Sequence, residues 1–303
     1  MSFRTPSTIQ NRQTLLDLGR TKERLAQNST RISSGKRLTS PGDDPAAAAL
    51  ILDFGTSIQA NTQFIKQADS ALGFLKTSED VVSAAVDHNM RLQELAQQGL
   101  AASNTAASRA AIVAEVDGIR ANLLALANTK EQGKYIFAGT QTQTVPFTDG
   151  APPAPPTWNG SAGAINLDVT ASTSVTTNVS GDSVFLGVGG APNASIFQAI
   201  QDLRDGLTGN SAAQIQTAID HLSTALDHLT QIRTDLGGRQ AGLLALQGNL
   251  SGFNLTLQDL QNAQQDTDYP QAVTEYTNDT TIQSATLSAM AKANKANLFD
   301  YLG

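Results

Sequence analysis

Residues 46–98 read AAAALILDFGTSIQANTQFIKQADSALGFLKTSEDVVSAAVDHNMRLQELAQQ, the most regular apolar pattern in the chain. Mostly apolar positions recur at alternating spacings of three and four residues: Ile51, Phe54, Ile58, Asn61, Ile65, Ala68, Leu72, Leu75, Glu79, Val82 and Val86. This alternation is typical of the a and d positions of a coiled-coil helix. The spacing therefore predicts one continuous helix, about 80 Å long at 1.5 Å per residue.

Weaker helical patterns flank this stretch on both sides. Residues 7–33 carry heptad spacing at Leu15, Leu18, Lys22, Leu25, Ser29 and Ile32, and residues 108–130 carry a shorter apolar stripe. Two of the six heptad positions in residues 7–33 are polar, so this helix has a thin apolar face. We expect it to depend on packing partners, because isolated helices gain most of their stability from packing.

The C-terminal third repeats the helical character. Residues 195–207 predict a short helix, and a long one begins near residue 211 and keeps heptad spacing to Leu257. Gly237-Gly238 and Gly248 predict weak points within it, and Tyr269-Pro270 predicts an interruption. A last amphipathic stretch runs from Pro270 to about Tyr301, and its sparse apolar face includes Val273, Tyr276, Leu287 and Met290.

Between the helical parts lies a segment of different composition. From residue 139 to residue 195 the charged side chains are Asp149, Asp168 and Asp182, and Gly, Pro, Thr and Ser are abundant. Short runs favour strands at residues 134–137, 164–169, 174–179 and 183–186. We predict a small β-rich insert, with a disordered spacer as the alternative. The fold class expected is mainly α, with long coiled-coil-like helices from both termini packed as a bundle.

The two ends of the chain carry opposite charge. Residues 1–37 contain Arg4, Arg12, Arg20, Lys22, Arg24, Arg31, Lys36 and Arg37 against Asp17 and Glu23. Residues 259–303 contain Asp259, Asp266, Asp268, Glu275, Asp279 and Asp300 against Lys292 and Lys295. Opposite charges on two helices favour their pairing, so the ends are predicted to fold back on each other.

Composition excludes several classes of function. The net charge of −7 and the pI of about 4.9 argue against a nucleic-acid partner. No apolar run reaches the ~20 residues that span a bilayer, and cysteine is absent. The histidines His88, His221 and His228 lack metal-ligand spacing and are expected at the solvated surface. Asp43-Asp44 is better explained as a helix N-cap than as a metal or acid/base pair. We therefore expect no enzyme, catalytic residue, cofactor, metal or membrane partner.

Two motifs carry a resemblance to a known family. Residues 31–38 read RISSGKRL and residues 43–46 read DDPA; residues 126–129 read LANT and residues 133–140 read GKYIFAGT. In these motifs the chain resembles the flagellin-type axial proteins of the bacterial flagellum, and within them the hook–filament junction proteins. The motif residues that carry the resemblance are Ser34, Gly35, Lys36, Arg37, Asp43, Asp44, Pro45, Tyr135, Phe137 and Gly139.

The resemblance implies a three-part layout and a set of partners. Residues 1–44 with 266–303 would form an inner tube domain, residues 45–133 with 195–265 a middle domain, and residues 134–194 a β-rich outer domain. The protein would be secreted through the flagellar type III export apparatus, aided by an export chaperone, into the extracellular flagellum. There it would form a homo-oligomeric ring between a neighbouring hook-associated protein and flagellin.

The thin apolar faces of the two ends predict coupled folding and assembly, in which subunit contacts order the terminal helices. The residues expected at this assembly interface are Leu15, Leu18, Leu25, Ile32, Leu287, Met290, Leu298, Phe299 and Leu302. Flagellin itself remains the main alternative, because it shares the layout and differs only in the motifs. A secreted coiled-coil translocator or adhesin is a more distant alternative.

Overall fold

The computed structural model describes residues 5–101, 104–150, 154–170, 172–189 and 193–302, with side chains from residue 12 to residue 292. The helices in these ranges are α1 (Thr5–Ser34), α2 (Pro45–Gly99), α3 (Ala106–Ala127), α4 (Gly181–Leu186), α5 (Ile196–Thr208), α6 (Ala212–Gln265) and α7 (Tyr269–Leu302). The strands are β1 (Lys130–Glu131), β2 (Lys134–Tyr135), β3 (Phe147–Thr148), β4 (Thr157–Trp158), β5 (Asn166–Asp168) and β6 (Ser174–Thr176). The prediction of a mainly helical chain with a strand-bearing insert is confirmed.

The helix boundaries follow from local capping chemistry. Asp44 Oδ1 accepts a hydrogen bond from the backbone N–H of Ala47 at 3.1 Å, and Pro45 occupies the first helical position of α2. At the start of α3, Thr105 Oγ1 accepts from the Ser108 N–H at 3.1 Å. The long helix α6 continues without interruption through Gly237, Gly238 and Gly248, so these glycines do not break it.

The strands form three separate antiparallel pairs rather than one sheet. β1 pairs with β2, β3 with β4, and β5 with β6, with Leu167 opposite Val175 in the last pair. The expectation of a strand at residues 183–186 was wrong, because this run lies in the helix α4. Its apolar residues Val184 and Phe185 are buried in the core, so tertiary packing overrides their β propensity.

The chain divides into two compact units, which are described separately below. The terminal unit comprises residues 1–60 and 253–303, and the central unit comprises residues 61–252. The predicted division into inner, middle and outer domains stays a prediction. Over the residues described, no helix combines the length and apolar character needed to cross a bilayer.

The central unit has an extended apolar core. Residues from α2, α3, α5 and α6 meet along the bundle, including Leu92, Leu123 and Leu222, all fully buried. The insert is attached to this core through its aromatic residues. Phe185 packs edge-on against Phe137, with ring centroids 5.2 Å apart, and against Phe147 at 5.5 Å.

The terminal unit has much less apolar burial. Its buried apolar side chains, among those described, are Ala47, Leu257 and Ala272. The helices α1 and α7 pack against each other as the complementary charges predicted. The face of α1 that contributes to this pairing includes Thr21 and Asn28, both nearly inaccessible to solvent. The predicted heptad positions Lys22 and Ser29 lie one residue away and are exposed.

Candidate assembly site

Two of the loops that separate helices meet within the terminal unit. The break after α1 and the break after α6 are joined by a β-bridge between Lys36 and Asp266. The Arg37 N–H donates to the Gln265 carbonyl at 2.7 Å, and the Thr267 N–H donates to the Gly35 carbonyl at 2.9 Å. We call residues 35–44 and 264–269 the clamp. It fixes where the terminal helices leave the rest of their unit.

Gly35 is required by the geometry of the clamp. Its φ is +71°, a left-handed conformation in which side chains are disfavoured, and its N–H donates to the Arg31 carbonyl at 2.9 Å. A β-carbon at this position would lie 3.3 Å from the Tyr269 hydroxyl. Gly35 thus ends α1 and leaves room for the tyrosine at the start of α7.

The Tyr269-Pro270 step begins a new helix after a short break. The Gln271 N–H donates to Asp268 Oδ1 at 3.1 Å, so Asp268 acts as an N-cap. Pro270 lies in the first turn of α7, where its missing N–H costs nothing. The predicted interruption therefore corresponds to residues 266–268, which supply the second half of the clamp.

Arg37 ties both halves of the clamp to α2. Its guanidinium donates to the Gln264 carbonyl at 3.0 Å, and it lies 3.6 Å from Asp44 Oδ2. Asp44 in turn caps α2 through its other carboxylate oxygen. One basic side chain of the RISSGKRL motif thus connects the ends of α6 and α2, which a lysine could not do with the same fork geometry.

Asp43 holds the loop between α1 and α2 in shape. Its Oδ2 accepts hydrogen bonds from the Ser40 N–H at 2.9 Å and from the Thr39 N–H and hydroxyl at 3.1 Å. These bonds, led by the one from Ser40, lower the pKa of the Asp43 carboxyl. Over the described residues, no group of three or more His, Asp or Glu side chains could hold a metal ion. Asp43 anchors the loop through the bonds above, and Asp44 caps α2.

Polar residues occupy the contact between α1 and α7. Arg24 Nη2 lies 2.9 Å from Asp279 Oδ1, and Asn28 Nδ2 donates to Asp279 Oδ2 at 3.3 Å. Asp279 is 7% exposed, so its charge is almost fully withdrawn from water. The Arg24 side chain is 56% exposed, so solvent screens its attraction to Asp279 and the ion pair adds little net stability. The contact thus selects the α1–α7 register without making it strong.

The predicted interface residues divide into three groups. Leu18, Leu25, Ile32 and Met290 are half-buried, whereas Leu15 and Leu287 are about half exposed, at 56% and 49%. Leu298, Phe299 and Leu302 belong to the backbone range of α7, but their side chains lie outside the described residues. The assignment of all nine to a subunit interface stays a prediction.

The second motif lies in the central unit, where the helices meet the insert. Tyr135 lies in β2 with Lys130 Nζ 4.4 Å from its ring centroid, and Phe137 is fully buried. The Phe137 carbonyl accepts the Gly181 N–H at 2.9 Å, which fixes the start of α4. Gly139 has a φ of +63° and lies against the Ser161 backbone. Asn128 adds a reciprocal pair of 2.9 Å bonds with the Phe147 backbone.

Sequence reasoning missed Tyr269, Thr21 and Asn28 as contact residues. Tyr269 was recognised only as a helix interruption, and the other two lie one position from the predicted heptad. It also misplaced two histidines. His221 Nδ1 lies 2.7 Å from Asp202 Oδ2 and His228 Nε2 lies 2.7 Å from the Ser183 carbonyl, so neither is simply solvated.

Comparison with known proteins identifies the family. Residues 7–142 match the model of the bacterial flagellin N-terminal helical region, and residues 213–302 match that of the C-terminal helical region. The chain belongs to the bacterial flagellin family. This assignment confirms the resemblance seen in the motifs. The members of this family are structural proteins of the flagellum.

Individual relatives of this flagellin-family chain fall into two groups. Flagellar hook-associated protein 3 of Escherichia coli is 32% identical over 158 residues, which is 51% of this chain and 48% of that protein. The chain thus matches less than half the length of that curated relative. Flagellin FlaB2 of Treponema pallidum is 25% identical over 293 residues, covering 92% of each chain.

Solved structures support the same fold. A putative flagellar hook-associated protein from Vibrio parahaemolyticus superposes with a TM-score of 0.67 at 18% identity, covering 74% of this chain and all of that one. At this identity the likeness concerns the fold alone. The fold of the matched 74% of this chain is therefore shared with this neighbour.

Proposed function

We propose that this protein joins the flagellar hook to the flagellin filament. It forms a short ring of identical subunits, bound on one side by a neighbouring hook-associated protein and on the other by flagellin. The proposal is supported by the 32% identity to a hook-associated protein 3 and by the motifs at residues 43–46 and 133–140. As a component of a static joint, it needs no catalytic group.

The exposed apolar surface of the terminal unit carries the proposal. Most of the large apolar side chains that the described residues expose belong to this unit: Leu15, Leu16, Leu50, Leu52, Phe253, Leu255, Leu260, Tyr269, Val273, Ile282 and Leu287. Burying one leucine contributes about 1.5–3 kcal/mol. Covering even half of this set would offset a large part of the cost of association. This unit therefore has the surface of a protein that is completed by its neighbours.

Export before assembly fits the weakness of the same unit. With few buried apolar residues and a polar α1–α7 contact, the terminal helices gain little stability in a single molecule. We propose that they stay loosely ordered for passage through the type III export apparatus to the extracellular flagellum. An export chaperone would hold the C-terminal segment until then.

The layout of the ring follows from this proposal. Residues 1–44 and 266–303 would line the inner tube, the helices of residues 45–133 and 195–265 would form the middle layer, and residues 134–194 would face outward. The clamp joins the first two of these parts.

Deleting the gene from the source bacterium tests the proposal. The expected cells build hooks but no filaments, and they release flagellin monomers into the medium. Electron microscopy of hooks and immunoblots of the culture supernatant measure the two results. Restoring the wild-type gene is the control. Filaments of normal length on the deletion strain would overturn the proposal.

Flagellin is the second candidate, favoured by the match over 92% of the chain to a flagellin. It has less support, because the more similar relative is a hook-associated protein. Copy number separates the two functions. Quantitative mass spectrometry of purified flagella measures the number of copies per flagellum. A junction protein would be present at the few copies that form one ring, whereas a flagellin would be the most abundant protein of the filament.

A further inference from the structure

One segment of the long helix α6 is unusually rich in glycine. Five glycines lie within residues 237–252, in the interior of the helix: Gly237, Gly238, Gly242, Gly248 and Gly252. Glycine is the least favourable residue in a helix interior after proline, because it loses the most backbone freedom on folding. We call residues 237–252 the glycine segment. It belongs entirely to the central unit.

The fold does not require glycine at these five positions. All five are exposed, and none of them has a positive φ. A β-carbon built on each would meet no atom within 4 Å among the residues described. Gly139 differs on both counts, with a φ of +63° and a close approach to the Ser161 backbone. Alanine would therefore fit at each position of the glycine segment and would favour the helix more than glycine does.

Burial in the glycine segment is also sparse. The structure describes all of residues 237–252, and Leu243 is the one buried side chain among them. In residues 215–229 of the same helix, by comparison, the buried residues are Ile215, Ala218, Leu222, Ala225 and Leu229. A segment with few buried apolar contacts opens at a lower free energy than the rest of its unit.

Polar side chains join the glycine segment to α2. Gln240 Nε2 donates to the Leu75 carbonyl at 3.2 Å. Gln247 Nε2 lies 3.4 Å from the Ile65 carbonyl and 2.5 Å from Asp69 Oδ1. Hydrogen bonds at partly exposed positions add little net stability, because water can replace either partner. The contacts of the glycine segment therefore offset little of the cost of its glycines.

We propose that the glycine segment is the part of the central unit that opens first, and that its opening starts the unfolding of this unit for export. The proposal rests on the proposed function, because it concerns the export that precedes assembly. Opening of the segment uncovers α2 at Leu75, which is fully buried, so the adjoining core loses its cover next. The rest of the core keeps the unit folded until export begins.

Two matched substitutions test whether the segment opens first. Gly248→Ala lies in the glycine segment, and Gly118→Ala lies in the interior of α3. Both positions are exposed, and at both a β-carbon meets no atom within 4 Å. Each substitution should raise the melting temperature by about 2–4 °C, because alanine favours the helix equally at both sites.

Native-state amide exchange of the purified full chain measures the opening. In the wild type, the amides of residues 237–252 should exchange at least about tenfold faster than those of residues 215–229. Gly248→Ala should slow exchange of the glycine segment about fivefold, whereas Gly118→Ala should leave its rate unchanged. Equal exchange in the two parts of α6 of the wild type would overturn the proposal, and so would equal effects of the two substitutions.

Pulse labelling of the source bacterium tests the role in export. The variant G237A/G238A/G242A/G248A/G252A should appear in the medium and flagella together at least about fivefold more slowly than the wild type, because its segment opens less often. Export at the wild-type rate would overturn the proposal. Normal export with poor retention in flagella would also overturn it, because the glycines would then serve a subunit contact.

A rescue experiment separates the segment from overall stability. In the five-alanine variant, Leu243→Ala removes the buried side chain of the glycine segment and should restore export. Leu123→Ala removes an equally buried leucine of α3 and should not. Circular dichroism of the purified proteins shows that both remain folded. Equal rescue by the two substitutions would show that overall stability, rather than this segment, controls export.

Failure of this proposal is distinguishable from failure of the proposed function. If immunogold labelling finds the wild-type protein at the junction but the five-alanine variant is exported normally, the ring stands and the role of the glycine segment is wrong. If the wild-type protein is absent from the junction, the function itself is wrong, whatever the exchange rates are.

Discussion

At the level of single residues, Gly139 has the strictest steric requirement in the second motif. A β-carbon there would overlap the Ser161 carbonyl oxygen, and the φ of +63° already disfavours any side chain. Neither feature can be relieved without moving the backbone of the insert. The residue therefore belongs to the motif because of a long-range close approach, which its neighbours in sequence do not reveal.

We expect Gly139→Ala to lower the free energy of unfolding of the central unit by about 3 kcal/mol, owing to backbone strain and overlap. The matched control is Gly237→Ala, in the interior of α6, where a β-carbon meets no atom within 4 Å. This control should stabilise the protein by about 0.5–1 kcal/mol. Urea denaturation followed by circular dichroism measures both values. Equal effects of the two substitutions would contradict the steric account.

Asp43 makes a separate prediction about pH. Its lowered pKa means that the folded loop favours the charged carboxylate, so its bonds are present at neutral pH and lost as pH falls through that pKa. An NMR titration of the side-chain carboxyl should give a midpoint below the ordinary value of 3.8. Thr39→Ala removes one donor and should move the midpoint upward. A midpoint at or above 3.8 in the wild type would count against the hydrogen bonds.

At the level of helices, the polar contact between α1 and α7 specifies their register but contributes little to the stability of the pair. Asn28 and Asp279 are buried polar residues where an apolar pair would pack more favourably. The Asp279 carboxylate is withdrawn from water, whereas its basic partner Arg24 is 56% exposed, so the screened ion pair offsets only part of the cost of burying this charge. We infer that the polar contact keeps the terminal helices dependent on neighbouring subunits.

In the wild-type monomer we expect amide hydrogens of α1 and α7 to exchange much faster than those of α2 in the central unit. The variant N28L/D279L should slow exchange in both terminal helices, because it removes the cost of burying a charge. The control Ser288→Leu adds an apolar residue at an exposed position of α7 and should change exchange little. Strong protection of residues 5–30 and 275–300 from amide exchange in the wild-type monomer would refute the hypothesis that the terminal helices are weakly ordered.

At the scale of the whole molecule, the main feature is the difference in packing between the two units: the central unit is well packed and the terminal unit is poorly packed. The central unit contains nearly all of the buried apolar side chains described, from Ala68 to Leu243. A defect in the terminal unit should therefore affect assembly more than folding. A stably folded central unit and a terminal unit that gains its contacts only on assembly would suit a subunit that is exported before it is assembled.

We expect Leu298→Asp or Leu302→Asp to abolish incorporation into flagella while the melting temperature of the purified monomer changes little. A carboxylate buried between subunits would cost several kcal/mol. Both positions belong to the terminal unit, so we expect the folding of the central unit to be unaffected. Thr281→Asp, at an exposed position of α7, is the control. Normal junction formation by the Leu298→Asp and Leu302→Asp proteins would show that the apolar terminus is not at a subunit interface.

Local sequence was enough to predict the helices, their approximate ends and the strand-bearing insert. Helix formation depends on the spacing of apolar residues and on caps such as Asp44-Pro45. Both signals lie within a short stretch of sequence, so they can be read locally. The opposite charges of the ends likewise predicted the pairing of α1 with α7. Family motifs added the class of protein.

Contacts between distant residues determined the rest. Thr21 and Asn28 face α7 instead of Lys22 and Ser29, because a rotation of the helix by one residue depends on its partner. The run 183–186 is helical because its aromatic neighbours in space, Phe137 and Phe147, are far away in sequence. The two breaks that form the clamp are about 230 residues apart along the chain. The charges predicted that the two ends pair, but which residues meet in the clamp depends on the packing of helices that are distant in sequence.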